Sequence, residues 1–300
     1  MIDRLEMFMA LARERHFGRA AESLNISQPT LSSAIKQLEE QLGVRLVQRG
    51  ARFMGLTPEG ERALEWAKRI VGDHRAMAAE MRALRSGLTG KVRIAVIPTA
   101  LGMVQNLTAA FLAAHPDVTV SIVSRTSEEI RDAIANFGAE LGITYLDNEP
   151  VGEVTTVPLY RERYRFVTAD PALFAGPKSV AGAKTGVPPF SLLPPNRQNR
   201  RIVNQYMLIG GATPLAPVET NSVIVMAAHI LTGRWSGIMA EKMVGMFAHE
   251  GRMRAIPLVD PQGTQIVGAI APKREPHMPA VGALLRHVRA LSEIGPKDGS

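Results

Sequence analysis

The chain has 300 residues, of which 46% are hydrophobic and 21% charged, so two or three packed domains are expected. It contains no cysteine, which excludes disulfides, thiolate metal sites and sensing by cysteine oxidation within this sequence. The first residues mix charges of both signs, and no apolar run approaches the roughly 20 residues of a membrane span, so we expect a cytoplasmic protein. The net charge of +7 favours an acidic partner, of which nucleic acid is the commonest.

The first 43 residues have the periodicity of three short helices. The third is predicted to begin after Ser27, a good N-cap, with Pro29 in its first turn, and to end at Gly43. Its inward stripe is Leu31, Ile35, Leu38 and Leu42, and its outward face is Gln28, Thr30, Ser32, Ser33, Lys36 and Gln37. Amides and hydroxyls can bond base edges and phosphates, so the pattern predicts a helix-turn-helix. The pattern alone leaves open a plain helical bundle with a solvated polar face.

Residues 44–58 contain three arginines and no acidic residue, which suits a wing lying along the phosphate backbone. From Pro58 a long helix is predicted to about Leu84, with a length of roughly 40 Å. Its seam positions alternate in steps of four and three residues: Ala63, Ala67, Ile70, His74, Met77, Met81 and Leu84. Such a heptad seam predicts pairing with a second copy of the chain, and packing on its own domain is the alternative.

From residue 91 predicted strands alternate with helices, which indicates a doubly wound, mainly parallel sheet. The first strands are predicted at Lys91–Ile97, Val118–Val123 and Glu140–Tyr145. A second α/β unit begins near Tyr164, with a strand at 164–168, a helix at 198–209, a strand at 215–219 and a helix capped by Asn221 or Ser222. Segments 264–271 and 279–291 could return to the first unit, giving two hinged lobes with a cleft between them.

Hydroxyl side chains follow two of the predicted strands. Thr99, Thr126 and Ser127 lie where ligands bind in such sheets, at strand carboxyl ends beside helix N-termini. A small anion would suit hydroxyls and backbone N–H groups. Each residue could equally be an ordinary helix cap, so only their convergence at one sheet edge favours a site.

Motifs of catalysis and metal binding are missing from the sequence. No dinucleotide-binding or phosphate-binding glycine motif follows a strand. Gly233 and Ser236 are one residue too far apart for a nucleophile elbow, and the seven histidines have no metal-ligand spacing. We therefore predict no enzyme, no catalytic residue, no metal and no cofactor.

Three stretches together resemble the N-terminal signature of LysR-type transcriptional regulators. They are Phe17-Gly-Arg-Ala-Ala-Glu-Ser-Leu-Asn-Ile-Ser-Gln-Pro-Thr-Leu-Ser, Gln37-Leu-Glu-Glu-Gln-Leu-Gly-Val and Leu56-Thr-Pro-Glu-Gly. The long helix, Gly142-Ile-Thr and the paired lobes extend the resemblance over essentially the whole chain.

The resemblance implies an α/β protein with an N-terminal winged helix-turn-helix at 1–58 and a dimerising linker helix and hinge at 59–90. It further implies a periplasmic-binding-protein-like effector domain of two α/β subdomains. Subdomain I covers 91–162 and 267–300, and subdomain II covers 163–266. Members of the family assemble as homotetramers, as dimers of dimers that bend double-stranded promoter DNA and change that bend when a small molecule binds.

Residue roles follow from the same resemblance by position. DNA contacts are implied for Ser27, Gln28, Pro29, Thr30, Ser32, Ser33 and Lys36, with wing contacts at Arg49 and Arg52. Effector contacts are implied for Thr99, Thr126, Thr144 and Asn221, with Pro98, Ala100 and Tyr145 lining the cleft. The expected partners are therefore promoter DNA, a small anionic effector, and further copies of the chain, with no membrane.

The sequence departs from the family pattern in two places. Where relatives commonly carry Phe before the wing arginine, this chain has Leu46-Val47-Gln48, which predicts a packing change. Gly233-Arg-Trp-Ser-Gly and Ala240 replace the usual Gly-x-Gly and Pro close to the cleft, so the effector class stays open.

Two stretches, 192–201 and 233–237, look similar to LysR-type proteins that control formate dehydrogenase genes, and this resemblance implies formate as a candidate effector. Two other functions remain as alternatives. One is a constitutive DNA-binding regulator without an effector. The other is an enzyme or small-molecule-binding protein with a fused helical domain.

Overall fold

A computed structural model of the chain describes residues 1–48, 53–147, 154–170, 189–195, 198–209, 216–247, 252–258 and 265–294. It divides into two units. The first comprises residues 1–89 with 135–138 and 276–279, and the second comprises 90–134, 139–275 and 280–300. Within the described ranges, no helix is both long and apolar enough to cross a membrane.

The first unit begins with three short helices followed by a long one: α1 (Ile2–Glu14), α2 (Phe17–Ser23), α3 (Gln28–Leu42) and α4 (Pro58–Ser86). Their apolar faces share one core, to which α3 contributes Leu31, Ile35 and Leu38 as predicted. Leu42, the last residue of α3, is 40% exposed and lies outside this core. The helix ends at Gly43, whose φ of 71° is a conformation that glycine adopts without strain.

The chain between α3 and α4 forms the base of the predicted wing. Val47 and Leu56 are paired by an antiparallel bridge, and the Gln48 N–H donates to the Gly55 carbonyl at 3.1 Å. Leu46 is fully buried in the core and Val47 packs against it, so this short apolar pair fills the space beneath the wing. A Cβ on Gly60 would overlap the Leu46 carbonyl oxygen, so the first turn of α4 requires glycine here.

The predicted seam of α4 divides into two parts. Ala67 is fully buried and Ala63 partly buried in the core of the first unit, so these two positions pack on their own domain. Beyond them the apolar side chains are exposed, as pairing with another copy would require: Ile70 40%, Met77 57%, Met81 54% and Leu84 77%. Trp66, which the heptad pattern omitted, is 54% exposed beside them.

The second unit contains a five-stranded sheet in the order β2-β1-β3-β10-β4. Its strands are β1 (Gly90–Val96), β2 (Val118–Ser124), β3 (Leu141–Tyr145), β4 (Val154–Glu162) and β10 (Gln265–Pro272). The first three are parallel, whereas β10 is antiparallel to both β3 and β4. The helices that follow them are the 3₁₀ turn η1 (Pro98–Ala100), α5 (Leu101–Ala114), α6 (Ser127–Ala135) and α10 (Pro279–Leu291).

A second, smaller sheet has the order β8-β5-β9, with both outer strands antiparallel to β5. Its strands are β5 (Tyr164–Thr168), β8 (Ser236–Ala240) and β9 (Arg254–Pro257), and β6 (Ser191–Leu192) pairs with β7 (Val218–Glu219) nearby. The helices in this part are α7 (Gln198–Ile209), α8 (Val223–Leu231) and α9 (Glu241–Phe247). The predicted parallel pairing therefore holds for β1 with β2 and β3 and for β6 with β7, whereas the other strand pairings are antiparallel. The strands β4, β6 and β9 and the helix α9 were not predicted.

The two sheets meet in sequence at Arg163, the one residue between β4 and β5, which is where the subdomain boundary was predicted. On the return, Gln265 and Ile266 already pair with β4, two residues before the predicted boundary at 267. The division into subdomains stays a prediction.

Candidate functional site

The residues predicted to contact DNA in α3 share one property, which is that all of them are exposed. They are Ser27, Gln28, Pro29, Thr30, Ser32, Ser33 and Lys36. Arg49 and Arg52, the two predicted wing contacts, lie outside the described residues.

Local hydrogen bonds fix the start of this face. The Ser27 side chain accepts from the Thr30 N–H at 3.2 Å, and its Oγ lies 2.8 Å from the Thr30 Oγ1. The two hydroxyls thus build the N-cap, which orients the first turn and leaves Gln28 free of a cap role. Further along, Lys36 is 3.7 Å from Glu40, a loose pair between two exposed side chains that water screens strongly.

Glu39 holds the wing base against α3. Its Oε1 accepts from the N–H groups of Leu46 at 2.7 Å and Val47 at 3.1 Å, and its other oxygen lies 3.4 Å from Arg45. Because a carboxylate that accepts two backbone N–H bonds is strongly localised, this residue fixes the position of Leu46 and Val47 relative to α3.

In the second unit, a cleft of about 260 Å³, part of it open to solvent, lies between the ends of β1 and β3 and the start of α7. Because this volume includes open solvent, the enclosed part of the cleft suits a molecule of only a few heavy atoms. The cleft is lined by Ile97, Pro98, Thr99, Thr126, Ser127, Tyr145, Leu193, Gln198 and Asn199.

Four of the seven predicted effector residues line this cleft, and three do not. Thr144 and Tyr145 are neighbours in β3, and neighbouring residues of a strand face opposite sides. Tyr145 faces the cleft, whereas Thr144 faces away from it and is 1% exposed. Ala100 is fully buried at the end of η1. Asn221 is exposed and precedes Ser222, whose side chain caps α8.

The threonine at the start of α6 is an ordinary helix cap, the alternative that the sequence left open. Thr126 Oγ1 accepts from the Glu129 N–H at 3.1 Å, and the Thr126 N–H donates to Glu129 Oε2 at 2.7 Å. This reciprocal capping box uses the Thr126 hydroxyl as an acceptor. The hydroxyl of the next residue has another role. Ser127 Oγ donates to Gln198 Oε1 at 2.8 Å and so joins α6 to α7.

Behind the cleft lies a buried carboxyl that the sequence reasoning missed. Glu162 is 1% exposed, and its Oε2 accepts from the hydroxyls of Tyr145 at 2.7 Å and Tyr164 at 2.8 Å. The Tyr145 hydroxyl is also 3.0 Å from Thr99 Oγ1, and Asn199 Nδ2 donates to the Tyr164 hydroxyl at 3.2 Å. Hydrogen bonds therefore connect Glu162 to Thr99 and Asn199, two residues of the cleft lining.

Burial controls the ionisation of this cluster. Burial raises the pKa of the Glu162 carboxyl, and the surrounding hydroxyls lower it by less. Burial, together with the nearby Glu162 carboxyl, also raises the pKa of Tyr145 and Tyr164 well above the usual tyrosine value. Both phenols are therefore neutral hydrogen-bonding groups, and the titrating member of the cluster is Glu162.

A sequence signal for this cluster existed in the two-residue spacing of Tyr160, Glu162 and Tyr164. Residues 160 to 164 alternate buried and exposed, which places these three side chains on one face and Arg161 and Arg163 on the other. A carboxyl between two tyrosines on an inward face is a pattern that predicts a buried polar cluster.

Two family models cover most of the chain. Residues 2–61 match the bacterial regulatory helix-turn-helix protein, lysR family, and residues 85–293 match the LysR substrate binding domain. Among curated relatives, the SDS degradation transcriptional activation protein of Pseudomonas sp. (strain ATCC 19151) is 33% identical over 195 residues, or 57% of this chain and 61% of that protein. More than a third of that relative's own length therefore remains unmatched.

A probable hydrogen peroxide-inducible genes activator of Mycobacterium xenopi is 34% identical over 161 residues, or 53% of this chain and 85% of that protein. Among solved structures, a full-length OxyR variant from Pseudomonas aeruginosa superposes with a TM-score of 0.70 at 23% identity, covering 96% of this chain and 94% of that one. At this identity the superposition shows a shared fold.

Proposed function

The chain belongs to the LysR family of helix-turn-helix regulators, and on that premise we propose that it binds promoter DNA and regulates transcription in response to a small anion. The observation that supports DNA binding best is the exposed row of amide, hydroxyl and ammonium groups on α3. A helix with such a face fits the major groove and can hydrogen-bond to base edges there. Action on promoter DNA implies a cytoplasmic location.

In this proposal the side chains of α3 divide into two tasks. Gln28 bonds a base edge. Ser27 and Thr30 orient the first turn of α3 and, together with Lys36, contact the phosphate backbone of the DNA. Pro29, Ser32 and Ser33 complete the contact face, and Arg49 and Arg52 bind phosphates from the wing.

The first experiment measures sequence recognition. Full-length protein selects binding sites from random double-stranded DNA, and the affinity ratio between a selected and a scrambled site is then determined at fixed salt. Gln28→Ala is expected to lower that ratio, and the difference in binding free energy between the two sites is expected to shrink by about 1–3 kcal/mol, because a base edge loses its partner. The matched control is Gln105→Ala, an exposed glutamine of α5. An unchanged ratio in Gln28→Ala would refute the assignment of α3 as the reading helix.

For assembly we propose a homodimer through the exposed apolar face of α4, and a homotetramer formed from two such dimers. Two copies would place two reading helices on successive half-sites, and a tetramer bound at two sites could bend the DNA between them. An effector can change that bend only if it binds one arrangement of the assembly more tightly than another.

For the effector we propose a small anion in the cleft beside Thr99, Ser127 and Asn199. The Asn199 amide has a second hydrogen besides the one donated to Tyr164, and together with the Thr99 hydroxyl after β1 and the start of α6 it supports an anionic ligand. The size of the cleft supports a ligand with few atoms. Formate is one member of this class. The sequence contains no cysteine, so a thiol of this chain is not the sensor.

The second experiment measures thermal stabilisation by formate and other short carboxylates. A ligand at 100 times its dissociation constant is expected to add about 2.7 kcal/mol to the stability. The gain is expected to vanish in Thr99→Ala and to persist in Thr108→Ala, a threonine whose hydroxyl bonds within α5. A panel without any hit, together with intact sequence recognition, would favour the constitutive regulator.

A further inference from the structure

The direction of the hydrogen bonds between Glu162 and the cleft depends on whether the carboxyl is ionised. Two hydroxyls connect the carboxyl to the cleft, first Tyr145 and then Thr99. The Tyr145 oxygen lies 2.7 Å from Glu162 Oε2 and 3.0 Å from Thr99 Oγ1, and the Tyr164 hydroxyl lies 2.8 Å from the same Oε2 and 3.0 Å from Tyr145. Each hydroxyl has one hydrogen, so the arrangement can be counted completely.

With Glu162 ionised, every hydrogen points away from the cleft. The carboxylate only accepts, so both tyrosines donate to its Oε2, and Thr99 then donates to the Tyr145 oxygen. Thr99 presents only lone pairs to the cleft in this state. An anion placed there would meet lone pairs and would also be repelled by the buried negative charge.

With Glu162 protonated, the bonds through Tyr145 can reverse while Tyr164 continues to donate to Oε2. The carboxyl donates to Tyr145, Tyr145 donates to Thr99, and the Thr99 hydrogen becomes available to a ligand. One proton added at Glu162 thus supplies one donor at the cleft surface, although the carboxyl does not line the cleft.

We propose that the cleft binds its anion together with one proton, which is taken from solvent and held by Glu162. The inference rests on the proposed function, because it assumes an anion beside Thr99. It makes Glu162 a specificity-determining residue that never touches the ligand. The net reaction is anion plus proton plus free protein giving a complex in which the buried charge of Glu162 is neutralised.

The surroundings of Glu162 favour this coupling. Its carboxyl is faced by the hydroxyls of Thr99 from η1, Tyr145 from β3, Tyr164 from β5 and Tyr160 from its own strand. Burial is the main influence on its ionisation and opposes the charged form, and Oε1 has no hydrogen-bond partner among the described residues. Of the charged side chains, Lys242 lies 5.2 Å from the centre of the Tyr160 ring, and Glu293 acts on the Tyr160 hydroxyl.

The test uses full-length protein, with sodium formate and sodium acetate as probes, titrated between about pH 5.5 and about pH 8.5. Above the pKa of Glu162 in the free protein, wild-type affinity is expected to fall by about tenfold per pH unit, because each binding event then requires one proton. Glu162→Gln is isosteric with the neutral acid and its amide can donate to Tyr145, so its affinity is expected to be independent of pH. Asp117→Asn, which removes an exposed carboxyl in the turn before β2, is the control and is expected to keep the wild-type profile.

A second measurement requires no variant. Calorimetric titration of the wild type in HEPES and in Tris, both at the alkaline end of the titrated pH range, is expected to show uptake of about one proton per anion, since the apparent enthalpy then depends on the buffer. Equal enthalpies in the two buffers would overturn the inference.

The outcomes separate this inference from the proposed function. If wild type and Glu162→Gln bind the probes with the same pH profile, the cleft is an anion site and only the coupling to Glu162 is refuted. If neither protein binds either probe at any pH, both the coupling and the small-anion part of the proposed function are refuted.

Discussion

A lysine at Met81 should separate the proposed dimer. Met81 exposes 54% of its surface in the isolated chain, between Met77 and Leu84 on the same face of α4. Full burial of a methionine side chain contributes about 1.5–3 kcal/mol, so covering half of it contributes about 1 kcal/mol per chain. Because the residue occurs once in each chain of a two-fold dimer, Met81→Lys removes about 2 kcal/mol from the dimer.

The substitution also places a charged ammonium among the apolar side chains of the seam, and the cost of desolvating it adds to that loss. The loss of about 2 kcal/mol alone corresponds to a dimer dissociation constant raised by about thirtyfold.

Sedimentation velocity over a concentration series measures this shift directly. Glu80→Lys is the control, because it adds positive charge in the same turn but about 100° away around the helix. A Met81→Lys protein that sediments as the wild type does would refute the assignment of this face to the dimer. Loss of the dimer in both variants would show that added positive charge anywhere on this turn, and not its position on the apolar face, separates the dimer.

Two further predictions concern stability. Gly60→Ala is expected to destabilise the first unit by about 3 kcal/mol in urea denaturation, because its Cβ overlaps the Leu46 carbonyl oxygen. In the control Gly245→Ala the added Cβ meets nothing within 4 Å, so no destabilisation is expected, and equal unfolding midpoints for the two variants would contradict the prediction. In the pH dependence of unfolding, the raised pKa of Glu162 means that the folded state keeps a proton that the unfolded state releases above the ordinary value of 4.5. Its contribution is complete below pH 4.5 and is lost as pH rises through the raised value, at about 1.4 kcal/mol per pH unit. Glu162→Gln should lack this slope, and parallel curves for the two proteins would contradict the assignment.

The amino-acid sequence determined the first unit almost completely. Its helices are specified by contacts between residues three and four apart, so the stripe through Leu31, Ile35 and Leu38, the cap at Ser27 and the stop at Gly43 were predictable. The exposed face of α3 follows from the same periodicity, since positions not on the buried stripe point outward. In the second unit, the strands predicted at 91–97, 118–123, 140–145 and 164–168 and the helices predicted at 198–209 and 279–291 agree with the structure to within one residue at each end.

The tertiary structure decided which residues meet in the cleft. Thr99 and Tyr145 are 46 positions apart in the chain, and Asn199 comes from a different part of the second unit, so no local pattern relates them. Thr144 and Tyr145 are neighbours, yet only one lines the cleft, because the strand turns them to opposite faces. The ionisation of Glu162 likewise depends on burial by strands that are distant in sequence. Local periodicity fixes which face of an element is apolar, whereas the proximity of polar groups and the loss of their water depend on how those elements pack together.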